Sequence, residues 1–559
     1  MNYMQLVVAV LGGLAIFVYG MGLMSDGLTQ IAGARMKAIL SFMTRNRFAA
    51  IASGALVTAA IQSSSATSVM TVGFVNAGLL SLQQAIGVIF GANIGTTVTG
   101  QLVSFKLDDL ALPAVIIGVV GLMVAKKDKF RGVFRTILGF GLLFYGMSLM
   151  SHELKAVSKQ ESFIAFFRLF DCQPGANGFL PFFSVLGAIA VGTLCTMLVQ
   201  SSSATIGITI ALAETGLINI WTGIPIVLGD NIGTTITAIL ASINTNANAR
   251  RTALAHALFN ILGTLILLVS FFAVITVANV RAPAFFHLVN LLTGGNCFAG
   301  ENLGRHVAMA HTAFNLANVA ILSLFIPVLA RVCRTIIGDD PVHARTVVLE
   351  PHLLATPTFA LEAVKRALVD MTRRAWTVAS VAINNCVGRA NVDYESIMKA
   401  EKNIDEMQTN IRDYLIGISQ RKLSDGEAQA IPEYVHCIND AERISDIAVK
   451  IYKKTLRVRD EGLKPEIMEK TSIIVNKVRD LANETIQAIR KGTDCRKETE
   501  EREDEIHDLV RSLTKEYSKV LVNNETDAPD VAFLSVLSGL RDISRHLGNI
   551  AQRVKAMDC

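Results

Sequence analysis

Two stretches of this chain crowd hydroxyls and an amide into apolar sequence. Gln62-Ser63-Ser64-Ser65-Ala66-Thr67 is spelled again as Gln200-Ser201-Ser202-Ser203-Ala204-Thr205. A second phrase follows each at the same distance: Gly91-Ala92-Asn93-Ile94-Gly95-Thr96-Thr97, then Gly229-Asp230-Asn231-Ile232-Gly233-Thr234-Thr235. Between them, Asn76-Ala77-Gly78-Leu79-Leu80 answers Glu214-Thr215-Gly216-Leu217-Ile218. Two phrases held in register make an internal repeat. Such groups are costly in apolar surroundings unless partnered, and inside a membrane they mark a substrate or ion path.

The residue types suit two kinds of ligand. An oxyanion can be held without a buried Lys or Arg if two half-helix N-termini aim their free N–H groups and positive dipole ends at it. Serine hydroxyls and a glutamine amide add donors that adapt to a tetrahedral oxygen cage. Gln62, Ser63, Ser64 and Ser65, with Gln200, Ser201, Ser202 and Ser203, offer that set. Sodium asks instead for carbonyls of unwound backbone, Ser or Thr hydroxyls and an Asn side chain. Asn93, Thr96, Thr97, Asn231, Thr234 and Thr235 are the candidates, with glycines that permit unwinding. The blander reading is that Ser, Thr and Gly only let helices pack closely; the density of the duplicated run argues against it. Asp230, where the first repeat has Ala92, is a sodium ligand, a charge that compensates the sodium, or a half-helix N-cap. Ala-His-x-x-Phe-Asn also occurs twice, at Ala255–Asn260 and Ala310–Asn315. It reads as a proton-sensitive element or, preferably, as helix-to-helix hydrogen bonding.

The elements that must position these residues are apolar helices. The chain has 559 residues, 51% hydrophobic and only 18% charged, with a mean hydropathy of +0.43. Apolar blocks end near Leu329, and after Asp339 the sequence becomes charged and helix-forming. This predicts an all-α protein: a polytopic membrane domain at 1–338, a linker at 339–357 and a soluble helical domain at 358–559. A net charge of +5 gives no case for nucleic acid. The first helix, 7–24, lacks a basic region and a cleavage site and so reads as a span rather than a removed signal. Residues 48–80 and 179–217 are broken at Gln-Ser-Ser-Ser into arms too short to cross about 30 Å of hydrocarbon, which predicts two re-entrant hairpins. Crossings are expected at 7–24, 84–104, 110–125, 136–150, 221–242, 252–280 and 306–330. Tyr19-Gly20-Met21 in the first helix returns as Tyr145-Gly146-Met147 in a helix that leaves a basic joint in the other direction. The basic joints 35–47 and 126–135 stay cytoplasmic, so the two halves read as inverted-topology repeats. Beyond the linker, six amphipathic helices are expected at 359–387, 394–420, 426–458, 465–491, 497–521 and 529–557. Asp425 is the expected N-cap of the third and Pro465 the first residue of the fourth.

The paired Gln-Ser-Ser-Ser and Gly-x-Asn-Ile-Gly-Thr-Thr motifs resemble those of the type II sodium/phosphate cotransporters and their bacterial relatives, over about 1–334. The resemblance implies sodium-coupled transport of inorganic phosphate by alternating access, with phosphate between the two Gln-Ser-Ser-Ser runs. It implies sodium at the Asn and Thr residues named above, and Na+ as the coupling ion with no other cofactor. The rivals are export by the same fold and a phosphate sensor signalling through the soluble domain. An enzyme is disfavoured, because no nucleotide-binding glycine loop, His-rich metal motif or nucleophile elbow is present.

The soluble domain resembles PhoU, a helical phosphate-response protein with two three-helix repeats. Glu442 and Asp446 match its Glu-x-x-x-Asp metal motif, although Lys450 stands where an Asn is expected. In the second repeat Arg541 and Arg545 replace both acidic ligands. Expected partners are phosphate, Na+, the lipid bilayer, a second copy as homodimer and a regulatory protein at the PhoU-like domain. The expected location is the inner membrane, multi-pass, with a cytoplasmic C-terminal domain. The eight cysteines form no Cys-x-x-Cys pair. Cys172 and Cys297 both fall in loops read as external, where they either form a bridge or remain two free, partly buried thiols.

Overall fold

The motif glycines and their partners pack the same way twice. The computed structural model describes residues 3–32, 46–105, 107–157, 170–243, 245–339, 349–386, 393–421, 423–461, 465–522 and 531–557. These divide into two units, Met1–Ala344 and Arg345–Cys559. In the first repeat, α2 (Arg47–Ile61) and α3 (Ser64–Asn76) precede α4 (Leu82–Val103). In the second, α7 (Phe182–Val199) and α8 (Ser202–Glu214) precede α9 (Ile220–Gly233) and α10 (Thr235–Ser242). A Cβ on Gly91 would collide with the Ile51 carbonyl oxygen, and one on Gly229 with that of Ile189. Each glycine lets two helix backbones touch, which a side chain forbids.

The flanking helices repeat as well. α1 (Tyr3–Ala32) packs along α6 (Asp128–Val157), and α5 (Asp108–Val124) also packs against α6. Gly13 meets Met150, Gly20 meets Leu143 and Gly27 meets Thr136, so α1 and α6 run antiparallel. The unit continues through α11 (Ala247–Ser270), a β-hairpin, α12 (Ala284–Leu292), α13 (Leu303–Leu322) and α14 (Ile326–Ile336). In the hairpin, β1 (Val274–Val277) pairs antiparallel with β2 (Val280–Pro283). Ala278 and Asn279 turn between them, both at positive φ. The hairpin corrects the expectation of one span over 252–280: the helix ends at Ser270 and the apolar, β-branched run behind it is strand.

Among the described residues, seven helices are long and apolar enough to cross a membrane: Val7–Ile31, Leu82–Val103, Lys129–Lys155, Phe182–Val199, Ile220–Ser242, Ala247–Ser270 and Leu303–Ile336. The count matches the expectation but one member differs. Phe182–Val199, read as a hairpin arm, reaches spanning length, whereas α5, read as a crossing, is one residue shorter at 17 residues. Of the broken segments, α2, α3 and α8 keep to 15, 13 and 13 residues.

The second unit is built from α15 (Pro357–Cys386), α16 (Tyr394–Ser419), α17 (Asp425–Glu461), α18 (Pro465–Lys491), α19 (Arg496–Val522) and α20 (Ala532–Met557). Ile438, Ile444 and Ile451 of α17 are buried, as helical spacing requires. The cap of α17 is Ser424 rather than Asp425. Its Oγ accepts from Glu427 N at 3.4 Å, while Glu427 Oε2 accepts from Ser424 N at 2.8 Å, a capping box. Pro465 does open α18.

Candidate anion and cation sites

Each Gln-Ser pair ends one helix and begins the next. Gln62 adopts the left-handed conformation (φ 57°) and its N–H donates to Thr58 O, closing α2. Ser63 is extended, and its Oγ accepts from Ala66 N at 3.1 Å, capping α3. The second copy repeats this: Gln200 has φ 55°, and Ser201 Oγ accepts from Ala204 N at 3.2 Å. Left-handed non-glycine residues are strained by about 1–2 kcal/mol, and such strain concentrates at functional sites. A threonine pair spans each break, Thr58 to Thr67 and Thr196 to Thr205, both at 2.9 Å.

The two breaks meet. Ser64 Oγ lies 3.3 Å from Ser202 Oγ, although the residues are 138 apart in sequence. Both open their helices, so two N-termini converge on one place. The backbone N–H groups of Ser64, Ser65, Ser202 and Ser203 have no partner among the described residues. The glutamines are not equivalent. Gln62 Oε1 accepts from Thr99 Oγ1 at 2.6 Å and its Nε2 donates back to Ala59 O, whereas Gln200 is exposed. Thr99 went unnoticed in the sequence, where nothing ties it to a residue 37 positions earlier.

The second motif departs from its expectation. α4 runs without interruption through Gly91–Thr97, and Thr234, at the joint of α9 and α10, keeps helical torsions. No carbonyl is unwound; the glycines serve helix contact instead. Thr96 and Thr97 donate to Ala92 O and Ile94 O at 2.9 and 2.8 Å, and Asn93 donates to Ile89 O. Thr234, Thr235 and Asn231 do the same in the second repeat. A hydroxyl whose proton is committed to a carbonyl presents only lone pairs elsewhere.

Asp230 is fully buried within the last turn of α9, so it caps no helix start and the N-cap alternative falls. Its Oδ1 accepts from Thr196 Oγ1 at 2.7 Å, and Oδ2 has no partner among the described residues. The His-Asn repeats lie beside these motifs. Asn315 donates both to His311 O at 2.9 Å and to Asn231 Oδ1 at 3.3 Å, the helix-to-helix bond expected there. Asn260 donates within its own helix to His256 O.

Cys172 and Cys297 are free, which corrects the bridge. Cys172 N is tied to Thr222 Oγ1 and its thiol turns to Phe170 O. Cys297 begins a single 3₁₀ turn pinned by Asn290. Burial pushes both thiols up to about 12.

In the second unit, the acidic group is larger than the sequence motif. Carboxylate oxygens of Glu401, Asp405 and Asp446 lie within 4.8 Å of one another, on α16 and α17. Glu442 stands one turn from Asp446. Burial first, then mutual repulsion, pushes Glu401, Asp405 and Glu442 above the usual carboxylate range. Asp405 Oδ1 is buried without a partner among the described residues, and an all-carboxylate donor set fits a hard cation. Arg541 and Arg545 both lie beside Asp542, at 3.7 and 3.5 Å.

The family described as Na+/Pi-cotransporter matches residues 16–152 and 183–275. The PhoU domain matches 388–455. Escherichia coli (strain K12) has a relative named "Putative inorganic phosphate export protein YjbB", 26% identical over 449 residues, covering 79% of this chain and 76% of that protein. Bacillus subtilis (strain 168) YqeW, an uncharacterized protein, is 31% identical over 252 residues, 45% of this chain and 78% of YqeW. Human sodium-dependent phosphate transport protein 2B is 46% identical over 83 residues, 14% of this chain and 12% of that one. No solved structure matches. The repeated motifs, the seven apolar helices and the extent of these matches establish that this chain belongs to the Na+/Pi-cotransporter family, an integral membrane transport protein rather than an enzyme, with a PhoU domain behind its membrane unit.

Proposed function

We propose that this chain carries inorganic phosphate across the membrane together with sodium, holding the anion between residues 62–65 and 200–203. One observation carries the reading: Ser64 and Ser202, each the first residue of a helix, approach to 3.3 Å. Four unpartnered N–H groups, two helix dipoles and the serine hydroxyls then surround one point, which favours a compact oxyanion. α3 and α8, at 13 residues each, extend only about 20 Å. They would therefore stop within the bilayer as halves of re-entrant hairpins.

Sodium is assigned to Asn93, Thr96, Thr97, Asn231, Thr234 and Thr235, whose oxygens keep lone pairs available, with Asp230 as the buried counter-charge. Alternating access follows if the repeats have inverted topology, a reading supported by the antiparallel α1–α6 pair and the matched glycine contacts. In the second unit Glu401, Asp405 and Asp446, with Glu442 nearby, would hold a divalent cation that ties α16 to α17. Its regulatory partner and the cytoplasmic, inner-membrane placement follow from the PhoU resemblance.

A second reading, export, is favoured by the long match to YjbB, which covers most of this chain. The experiment is labelled phosphate flux in proteoliposomes, with sodium, potassium and proton gradients imposed in turn. Flux should follow the sodium gradient in either direction. Flux indifferent to sodium would remove the coupling, and absence of phosphate flux from folded, inserted protein would remove the substrate.

A further inference from the structure

We propose that the elbow between α5 and α6 binds an anionic phospholipid, its acyl chains in an apolar groove and its phosphodiester at Lys126 and Lys127. The groove has a volume of about 690 Å³, within the roughly 300–1,000 Å³ of small-molecule sites. Ile116, Ile117, Val120 and Val124 of α5 form one wall, and Phe130 and Phe134 of α6 the other. The two lysines close its end. None of these residues belongs to either repeated motif, so the groove is separate from the phosphate site.

The fold explains why the groove exists. α5 has its main packing partner in α6 alone. Ala111, Gly118 and Gly121 are its buried residues: Gly118 lies against Leu138, and Gly121 against the ring of Phe134. The opposite side is apolar and uncovered, with Ile116, Val120, Met123 and Val124 all exposed. A helix held by one small-residue stripe leaves a furrow along its edge. In a bilayer such a furrow is filled by hydrocarbon.

Charge selects which lipid. Residues 125–131 carry Lys126, Lys127, Lys129 and Arg131 against the single carboxylate of Asp128. The four cations are exposed, and none is ion-paired among the described residues. The other end of α5 begins with Asp108 and Asp109, so only the groove end attracts an anionic headgroup. The N-terminus of α6 adds its positive dipole end at the same elbow. Basic pockets at the ends of transmembrane helices recognise anionic headgroups in this way.

The test uses the purified full-length protein, delipidated and titrated with phosphatidylglycerol or with phosphatidylcholine of the same chains. Native mass spectrometry reads the retained lipid and the oligomeric state. Phosphatidylglycerol should be retained preferentially. K126Q/K127Q should weaken it about 25-fold, at about fivefold per lysine, while leaving phosphatidylcholine unchanged. Val120→Trp, which fills the groove and spares the charges, should reduce retention of both. All three positions are exposed, so neither variant disturbs the core. Equal retention of the two lipids by wild-type protein would overturn the proposal. So would equal stabilisation by inorganic phosphate alone, or a lipid-free dimer that Val120→Trp dissociates, since a second copy would then cover the groove.

Discussion

Asp230→Ala turns the second Gly-x-Asn-Ile-Gly-Thr-Thr phrase into the first, and the structure fixes what should follow. The carboxylate is fully buried, with one hydrogen bond from Thr196 and an oxygen that has no partner among the described residues. At the same place the first repeat has Ala92, and its threonine pair closes at the same 2.9 Å without a carboxylate. The variant therefore needs no local structure that the chain does not already build. Burying an ionised carboxylate costs several kcal/mol after relaxation. Without sodium, removing it should raise the unfolding temperature, by about 1–2 °C for each kcal/mol recovered. With sodium the sign reverses. Losing the counter-charge of a desolvated cation costs about 3 kcal/mol, the lower end for breaking a buried charge pair. That is about two decades in half-saturating sodium. Thermal unfolding and phosphate flux, each titrated with sodium against potassium at constant ionic strength, read both effects. A variant with wild-type sodium dependence and a lowered unfolding temperature would refute the reasoning, leaving Asp230 as an acceptor for Thr196 and nothing more.

Ser64→Ala and Ser202→Ala should each raise half-saturating phosphate in flux assays by one to two decades, because a hydrogen bond to a charged group contributes about 1.5–3 kcal/mol. Gln200→Gly should raise the unfolding temperature by relieving a left-handed residue worth about 1–2 kcal/mol. Gln62→Gly should gain less, because it strands the hydroxyl of Thr99, a bond of about 1 kcal/mol. Cys172 and Cys297, buried and pushed up to about 12, should resist maleimide at pH 8 in folded protein and react without reductant once unfolded. A Cys172–Cys297 peptide in a non-reduced map would contradict this. In the second unit the raised carboxyls disfavour folding once ionised. Stability without divalent cation should therefore rise as pH falls through their raised values toward the ordinary carboxylate range, and Glu401→Gln should flatten that slope in chemical unfolding.

What the sequence made legible was whatever lies within one or two helical turns. The Gln-Ser break, the six C-terminal helices and the Pro465 start follow from capping chemistry and periodicity, which act on neighbours. Contacts over long separations were not legible: Ser64 with Ser202, Gln62 with Thr99, and Glu401 and Asp405 with Asp446. The Glu442–Asp446 motif showed one helix of the acidic group and hid the other, because carboxylates one turn apart are common on helix surfaces. The β-hairpin at Val274–Pro283 was masked by hydropathy, which cannot separate an apolar strand from the end of a span. The motif glycines misled for a physical reason as well. A glycine in a helix can permit unwinding or permit contact, and only the partner helix decides; here the Ile51 and Ile189 carbonyls occupy the space a Cβ would need.

Those same contacts show where the two halves differ. The Gln-Ser breaks, the threonine pairs and the glycine contacts correspond position for position, so that packing is indifferent to which repeat holds a ligand. Two side-chain differences at the motifs themselves stand out. Asp230 stands opposite Ala92. Thr99 holds Gln62, whereas the corresponding Thr237 donates within its own helix to Thr234 O, leaving Gln200 exposed. One half therefore carries a buried carboxyl and an exposed amide, and the other an alanine in its place with its amide fixed. In a carrier that opens first to one side and then to the other, those two differences make the two open states unequal in energy. Asp230→Ala removes the carboxyl difference and keeps the amide difference, while Thr99→Val releases Gln62 Oε1 and keeps the carboxyl. Comparing the two variants under opposed sodium gradients would show which difference sets the preferred side.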